Sequence, residues 1–265
     1  MLKNLISYAR LMLSYIKINF NSQLEYRGAF LSQSLAMFIN NAVWVVFWVL
    51  FFNKFPVLKG WDVKDVITLW AISASGFGIA HSVCGNALPL AGLIARGQLD
   101  AWMLYPRALL SHLLLGKMIA TAVGDAVFGF VVYILFVRPD AVHLALFTVL
   151  TLAVALLFVG FSVLSGSLSF YVGNAEGLAE QWRFAMITFS TYPATLFDGT
   201  VMLLLYTLIP AGFVSYLPVQ ALRSLSLTDA LLTLAGAVAL MMVGTAVFYH
   251  GLRRYESGNL MEMRG

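Results

Sequence analysis

The sequence predicts an all-α, polytopic membrane protein with six membrane-spanning helices, and three observations carry that prediction. Hydrophobic residues make up 61% of the 265-residue chain and charged ones 11%, where soluble domains carry about 25% charged residues. A water-soluble globule of this composition would expose large apolar patches that drive association, whereas lipid accepts such a surface. Windows free of Asp, Glu, Lys and Arg recur along the chain, several longer than the about 20 residues that cross a hydrocarbon core of about 30 Å. The Lys and Arg residues gather on alternate connections between these windows, the asymmetry that orients membrane proteins. The whole chain, residues 1–265, is read as one transmembrane domain.

Residues 1–21 come first. Lys3, Ser7, Arg10, Ser14, Lys17 and Asn21 recur every three or four positions and leave Leu, Ile, Tyr, Met and Phe on the other faces. This is the pattern of an amphipathic helix lying in the headgroup layer; the alternative is a solvated lead-in to the first span. Its basic residues interrupt the apolar run, and no small-residue cleavage site follows, so this segment is expected to be retained.

The first span is predicted over 28–53 and the second over 66–92. The second is rich in small residues, among them Ser73, Ala74, Gly76 and Gly78. They permit either close approach of another helix or a polar pathway, and tight packing is the favoured reading. His81 in the same span is expected to be a hydrogen-bonded interior residue. The third span, 112–137, contains one carboxylate, Asp125, and the fourth is placed over 142–170. Gly160, Ser162, Ser165, Gly166 and Ser169 in the fourth favour close helix packing. A short fifth span over 177–197 leads into 198–222, which is apolar but broken by Pro210 and Pro218. A re-entrant hairpin fits that stretch. Backbone that leaves the helix at membrane depth has to be buried in protein or line a cavity, so these prolines point inward. The last span covers 228–252.

With the N-terminus inside, the cytoplasmic side receives Lys3, Arg10, Lys17, Arg27, Arg96, Arg107, Lys117, Arg183, Arg253, Arg254 and Arg264, 11 of the 16 basic residues. The other side receives Lys54, Lys59, Lys64, Arg138 and Arg223, the remaining 5. Both termini are therefore expected in the cytoplasm.

Chemistry on a soluble substrate has no visible machinery. There is no Gly-rich loop ending in Lys and Ser or Thr to cradle a nucleotide, no His-Glu-x-x-His, and no Gly-x-Ser-x-Gly elbow. The four histidines lie at least 31 residues apart, and Cys84 is the lone cysteine, so neither a metal site nor a disulfide is expected. The basic residues are scattered rather than clustered, which gives no nucleic-acid footprint. No catalytic residue is assigned. Asp125 remains: a charge at that depth costs about 2.5–3.5 kcal/mol on insertion scales and has to face the bundle interior, a partner or water. Structural pairing or a subunit contact is favoured for it. A stand-alone proton-coupled carrier using Asp125 is the alternative, although no inverted repeat accompanies it. An intramembrane enzyme would need a second catalytic group at matched depth, which the sequence does not supply.

The segment 94–107, on the cytoplasmic side, mixes charge with Leu99, Trp102, Met103 and Leu104. Bounded by Gly97 and Pro106, it reads either as a short amphipathic helix that docks into a soluble partner or as one that rests on lipid. Its Gly97-Gln98-Leu99-Asp100, followed by Leu104-Tyr105-Pro106, resembles the intracellular loop of ABC-2-type permeases, specifically a small six-span bacterial family. The C-terminal block from Gly251 to Asn259 is similar to that family's ending, as are Tyr192-Pro193 and the stretch from Ile209 to Pro218.

The resemblance spans the chain in matching order. It implies the transmembrane subunit of an ABC transporter in a bacterial inner membrane, working with two copies of a separate ATPase and with a second permease copy or a paralogue. It also implies a coupling helix at Arg96, Gly97, Gln98, Leu99, Asp100 and Pro106, and an outer gate around Tyr192, Pro193, Pro210 and Pro218. ATP and Mg would sit on the ATPase, with no cofactor on this chain. Export is favoured over import by the same kinship.

Overall fold

The computed structural model describes residues 2–105 and 108–255, with residues 2–9 described by backbone alone. No strand is present among the described residues apart from an isolated bridge between Leu58 and Trp61. Helix α1, Leu2–Glu25, is separated from α2, Arg27–Lys54, by the single non-helical residue Tyr26. On α2 the buried residues Asn41, Val45, Trp48 and Phe52 are spaced by four, three and four positions, the interval that keeps side chains on one face. Leu31, Leu35, Ile39, Val43, Val46 and Leu50 stand exposed on the other faces, where lipid is the fitting solvent.

Helix α3, Val63–Val83, opens on a reciprocal cap. The Asp62 carboxylate accepts from the Asp65 amide at 2.9 Å, and the Asp65 carboxylate accepts from the Asp62 amide at 3.0 Å. It is buried on nearly every face, with Val66, Leu69, Ala71, Ile72 and Ser75 fully enclosed. A helix enclosed all round belongs at the centre of a bundle. The order of helices across the bundle is α2, then α7 (Ala120–Val132), α3, α8 (Ala141–Gly166) and α13 (Leu227–Leu252), so α2 and α13 form the two flanks. Small residues set the spacing. A Cβ on Gly78 would fall against the α7 backbone at Ala122 and Ala126, and one on Gly244 would come within 2.7 Å of the Gly160 carbonyl on α8.

Between α3 and α7 the chain forms a lobe at one end of the bundle. It holds α4 (Leu90–Ala95), α5 (Asp100–Met103) and α6 (Leu109–Leu114). Its two ends are tied together. Gly85 N donates to Lys117 O at 2.9 Å, Ile119 N to His81 O at 3.2 Å, and Asn86 Nδ2 to Leu113 O at 2.9 Å. Helix α1 lies against this lobe: the Tyr15 hydroxyl bonds the His112 ring at 2.5 Å, and Asn19 Nδ2 donates to Leu115 O at 2.8 Å. Tyr255 returns to the same end, where its hydroxyl accepts from Leu99 N at 3.0 Å. Tyr15 and Asn19 of α1 and Tyr255 after α13 therefore all reach this lobe.

Helix α8 starts on an Asp140 cap that accepts from His143 N at 2.8 Å. It is followed by the one-turn α9 (Ser169–Val172) and a turn at Gly173, where φ of +75° suits glycine. Helix α10, Glu176–Ser190, packs on α3, α4 and α8. Next come α11 (Gly199–Thr207), a wide turn over Gly212–Tyr216, and α12 (Leu217–Ser224). The helical stretches 199–207 and 212–224 meet at 80°.

Five helices are long and apolar enough to cross a membrane among the described residues, and the bent pair brings the number to six if it is one span. Four helix extents depart from the sequence reading. The second span, expected over 66–92, ends as helix at Val83, because Gly85, Asn86 and Pro89 break the backbone inside a window that carries no charge to mark it. The third, expected over 112–137, is divided: α6 stops at Leu114, α7 starts at Ala120, and its last turn widens over Tyr133–Val137. The fifth, expected over 177–197, is helical only over the 15 residues of α10, about 22 Å at 1.5 Å per residue. The interfacial segment, expected to end at residue 21, continues to Glu25.

Candidate functional site: an intramembrane cavity between two tied ends

A cavity of about 430 Å³ lies between α2, α3, α7 and α10. Asp125 of α7 faces it and is 4% exposed. Asn41 Nδ2 donates to Asp125 Oδ1 at 2.5 Å and also to the Met37 carbonyl at 3.1 Å. The favoured reading of Asp125 as a structurally paired residue is met by an amide rather than by a charge. Asn40, Ser73, Thr188, Thr191 and Tyr192 add polar groups to the lining, against an otherwise apolar and aromatic wall. Trp44 of α2 and Trp70 of α3 stack with ring centres 5.7 Å apart and planes 19° from parallel. The small residues of α3 divide by face: Ser73 and Ala74 line the cavity, whereas Gly76 and Gly78 abut Val154 and the α7 backbone.

His81 does not join this lining. Its ring lies 4.2 Å from that of Phe77, its Nδ1 is 2.9 Å from the Phe77 carbonyl, and its buried Nε2 has no hydrogen-bond partner.

At the lobe end, the segment 96–106 is not one helix bounded by Gly97 and Pro106. Helix α4 ends at Ala95, Gly97 turns the chain at φ of +67°, and α5 is a single turn. The turn is closed by Gly97 N to Ile94 O and Gln98 N to Leu93 O, the pair of bonds with which a left-handed glycine ends a helix. Arg96 pairs with Glu176 at the start of α10 at 2.9 Å. Leu99 is fully buried, Gln98 is exposed, and Asp100 opens α5 beside Tyr255. Burial first, and the hydrogen bond to Asp100 second, push the Tyr255 hydroxyl up to about 12. Pro106 lies outside the described residues.

At the opposite end, Tyr192 meets the Trp48 ring edge-on at 6.1 Å and also lines the cavity, so the start of the segment 192–218 and Asp125 share one space. Pro193, Pro210 and Pro218 are buried. Pro210 and the fully buried Ala211 form the break between α11 and α12, which keeps the interrupted backbone inside protein. Helix α12 is clasped to α3 by Arg223. Its guanidinium takes both Asp65 oxygens, with Nε to Oδ1 at 3.0 Å, donates to the Gly60 carbonyl at 3.2 Å and lies 5.6 Å from the Trp61 ring.

Arg223→Ala should lower the melting temperature of the chain in lipid nanodiscs by the equivalent of about 1 kcal/mol, since the pair is partly solvent-screened. Arg223→Lys should recover only part of the loss, because an ammonium does not reproduce the two-pronged bond. A melting temperature unchanged in both variants would show that the clasp contributes nothing.

Neither Asn41 nor the Arg223 clasp was singled out from the sequence. For Asn41 a signal existed: the Asn40-Asn41 pair interrupts the apolar run of the first span. A scan for charges alone passes over amides. Arg223 and Asp65 are 158 residues apart, and nothing local joins them.

These features define a multi-pass α-helical membrane protein with a largely apolar cavity between its helices that holds one buried carboxylate. The family model described as ABC-2 family transporter protein matches residues 38–258, and the chain belongs to that family. It is accordingly a membrane permease component of an ABC transporter, a family that partners an ABC ATPase. No curated protein and no solved structure matches the chain.

Proposed function

We propose that the chain is one half of the translocation pathway of an ATP-driven exporter in a bacterial inner membrane, with both termini cytoplasmic. A second permease copy or a paralogue completes the pathway, and two ATPase subunits carry the ATP and Mg. The lobe at residues 84–119 receives the ATPase motion, chiefly through Arg96 to Pro106. The broken segment from Tyr192 to Pro218 closes the outer side.

The observation that carries this reading is the wiring of the lobe. Arg96 grips α10 through Glu176, and Leu99 grips the end of α13 through Tyr255. Both ends of the lobe bond to one another beside the α3 terminus. A push on the 96–100 turn therefore reaches three bundle helices at once. Helix α10 carries Thr188 and Thr191 in the cavity wall, and α3 carries Trp70 and Ser73. Differential contacts in two such states are what a partner's motion has to act on.

The proton-coupled alternative has less support. Asp125 is the only carboxylate, imidazole or cationic group lining the cavity among the described residues, so no relay partner meets it.

The test is capture of the ATPase by the tagged chain in mild detergent, followed by hydrolysis assays on the complex. Replacing 96–106 with a Gly-Ser linker should abolish both capture and permease-dependent stimulation. Gly97→Val forces a branched residue into a left-handed turn, and should reduce stimulation about tenfold, the equivalent of about 1.4 kcal/mol, with membrane insertion intact. Stimulation that survives the linker replacement would overturn the assignment.

A further inference from the structure

We propose that the cavity beside Asp125 is a binding site for an amphipathic organic cation, which the Asp125 carboxylate holds against the aromatic wall that Trp44 and Trp70 build. The term substrate for this molecule rests on the permease reading above; the binding itself does not.

The lining has an unequal distribution of charge. Asp125 is buried, and only Asn41 is hydrogen-bonded to it, through one oxygen, among the described residues. A carboxylate offers about four acceptor positions, so one donor leaves most of them unused. No Lys, Arg or His lines the cavity. Arg183 precedes the lining residue Phe184 on α10 but is not part of the wall. An anion entering this space would meet an acceptor and no cation.

The aromatic groups point to the same class of molecule. The stacked Trp44 and Trp70 rings belong to the same wall as Asp125. Indole faces attract cations whose centres lie within about 6 Å, and most strongly where water is scarce. Trp44 is 43% exposed and Tyr192 37%, so the aromatic edge is reached from outside the bundle core. The remaining wall, with Met37, Phe77, Phe158, Phe184 and Ile187, suits an apolar body attached to the charged head. The volume of about 430 Å³ falls among those of small-molecule sites.

The probe pair is phenyltrimethylammonium and tert-butylbenzene, which have the same shape and differ in a charged nitrogen for a carbon. Equilibrium dialysis of each, tritiated, against the full chain in nanodiscs, with empty nanodiscs subtracted, reads the preference for charge. The ammonium should bind about tenfold or more tightly than its neutral counterpart. Asp125→Asn keeps an amide bond to Asn41 and should bring that ratio to about one, leaving tert-butylbenzene binding unchanged. Trp44→Leu, on the exposed rim and outside the Asp125 pair, should lower ammonium binding about threefold or more, and decides the matter if Asp125→Asn loses both ligands.

Equal binding of the two probes to the unaltered chain overturns the proposal. So does a charge preference that survives Asp125→Asn, or one untouched by Trp44→Leu in the case where that variant decides. The assay contains no ATPase, so a failure here leaves the permease reading standing, and a failure of ATPase capture leaves this result standing.

Discussion

Gly78→Val is expected to abolish the folded bundle, leaving no monodisperse protein after extraction in mild detergent. A Cβ at position 78 would lie 2.6 Å from the Ala122 carbonyl oxygen and 2.7 Å from the Ala126 Cα, and closer still to the Ala126 nitrogen. These are backbone atoms of α7, which cannot rotate aside as a side chain does. Relief requires α3 and α7 to separate, and that opens the closest contact of the central helix. Overpacking costs about 1–3 kcal/mol in tolerant cores, and here a branched side chain meets rigid backbone inside the most enclosed element. Gly28→Val provides the control, since nothing lies within 4 Å of a Cβ at that position. It should extract and melt like the unaltered chain. Equal behaviour of the two variants would show that the α3–α7 spacing is not set by Gly78.

Asn41→Leu carries the second large effect, and its signature is an asymmetry. Removing the amide leaves the buried Asp125 carboxylate without its hydrogen-bond donor from α2. Stranding a buried polar group costs about 1–3 kcal/mol, more when it is charged, whereas interhelical hydrogen bonds in membranes average about 0.6 kcal/mol in double-mutant cycles. A loss of about 2–3 kcal/mol in denaturant unfolding of the detergent-solubilised chain is expected for Asn41→Leu. The pair Asn41→Leu with Asp125→Leu should recover much of it, because no stranded group remains. A double variant as unstable as the sum of its parts would mean that the two side chains act independently.

The helices that the sequence located well are those whose ends coincide with chemistry that marks them. The predicted spans 28–53, 142–170 and 228–252 correspond to Arg27–Lys54, Ala141–Gly166 and Leu227–Leu252. Asp140 and Ser226 cap the last two, and charged residues bound the first. The first residues of the lobe, 84–92, were read as span because charge-free sequence was equated with continuous helix there. Apolar residues such as Leu90, Leu99 and Leu113 are buried in protein, not in lipid, so hydropathy is satisfied by a folded lobe as well as by a span. Polar pairing across the bundle was less legible still. Asp125 announced itself as a costly charge, but its partner is 84 residues away and uncharged. Within 198–222, read as a hairpin broken by Pro210 and Pro218, the bend falls at Pro210, whereas Pro218 sits inside the helical stretch 212–224.

The tie between α1 and the lobe has a consequence for biogenesis. Tyr15 and Asn19 find their partners at His112 and Leu115, 97 and 96 residues later in the chain. At ribosomal speeds of about 5–20 residues per second, that separation is on the order of 5–20 s of synthesis. During that interval neither side chain has its protein partner, although α2 follows α1 after a single residue. The tie between α1 and the lobe therefore forms only after the lobe has been made, which makes it a late step of assembly.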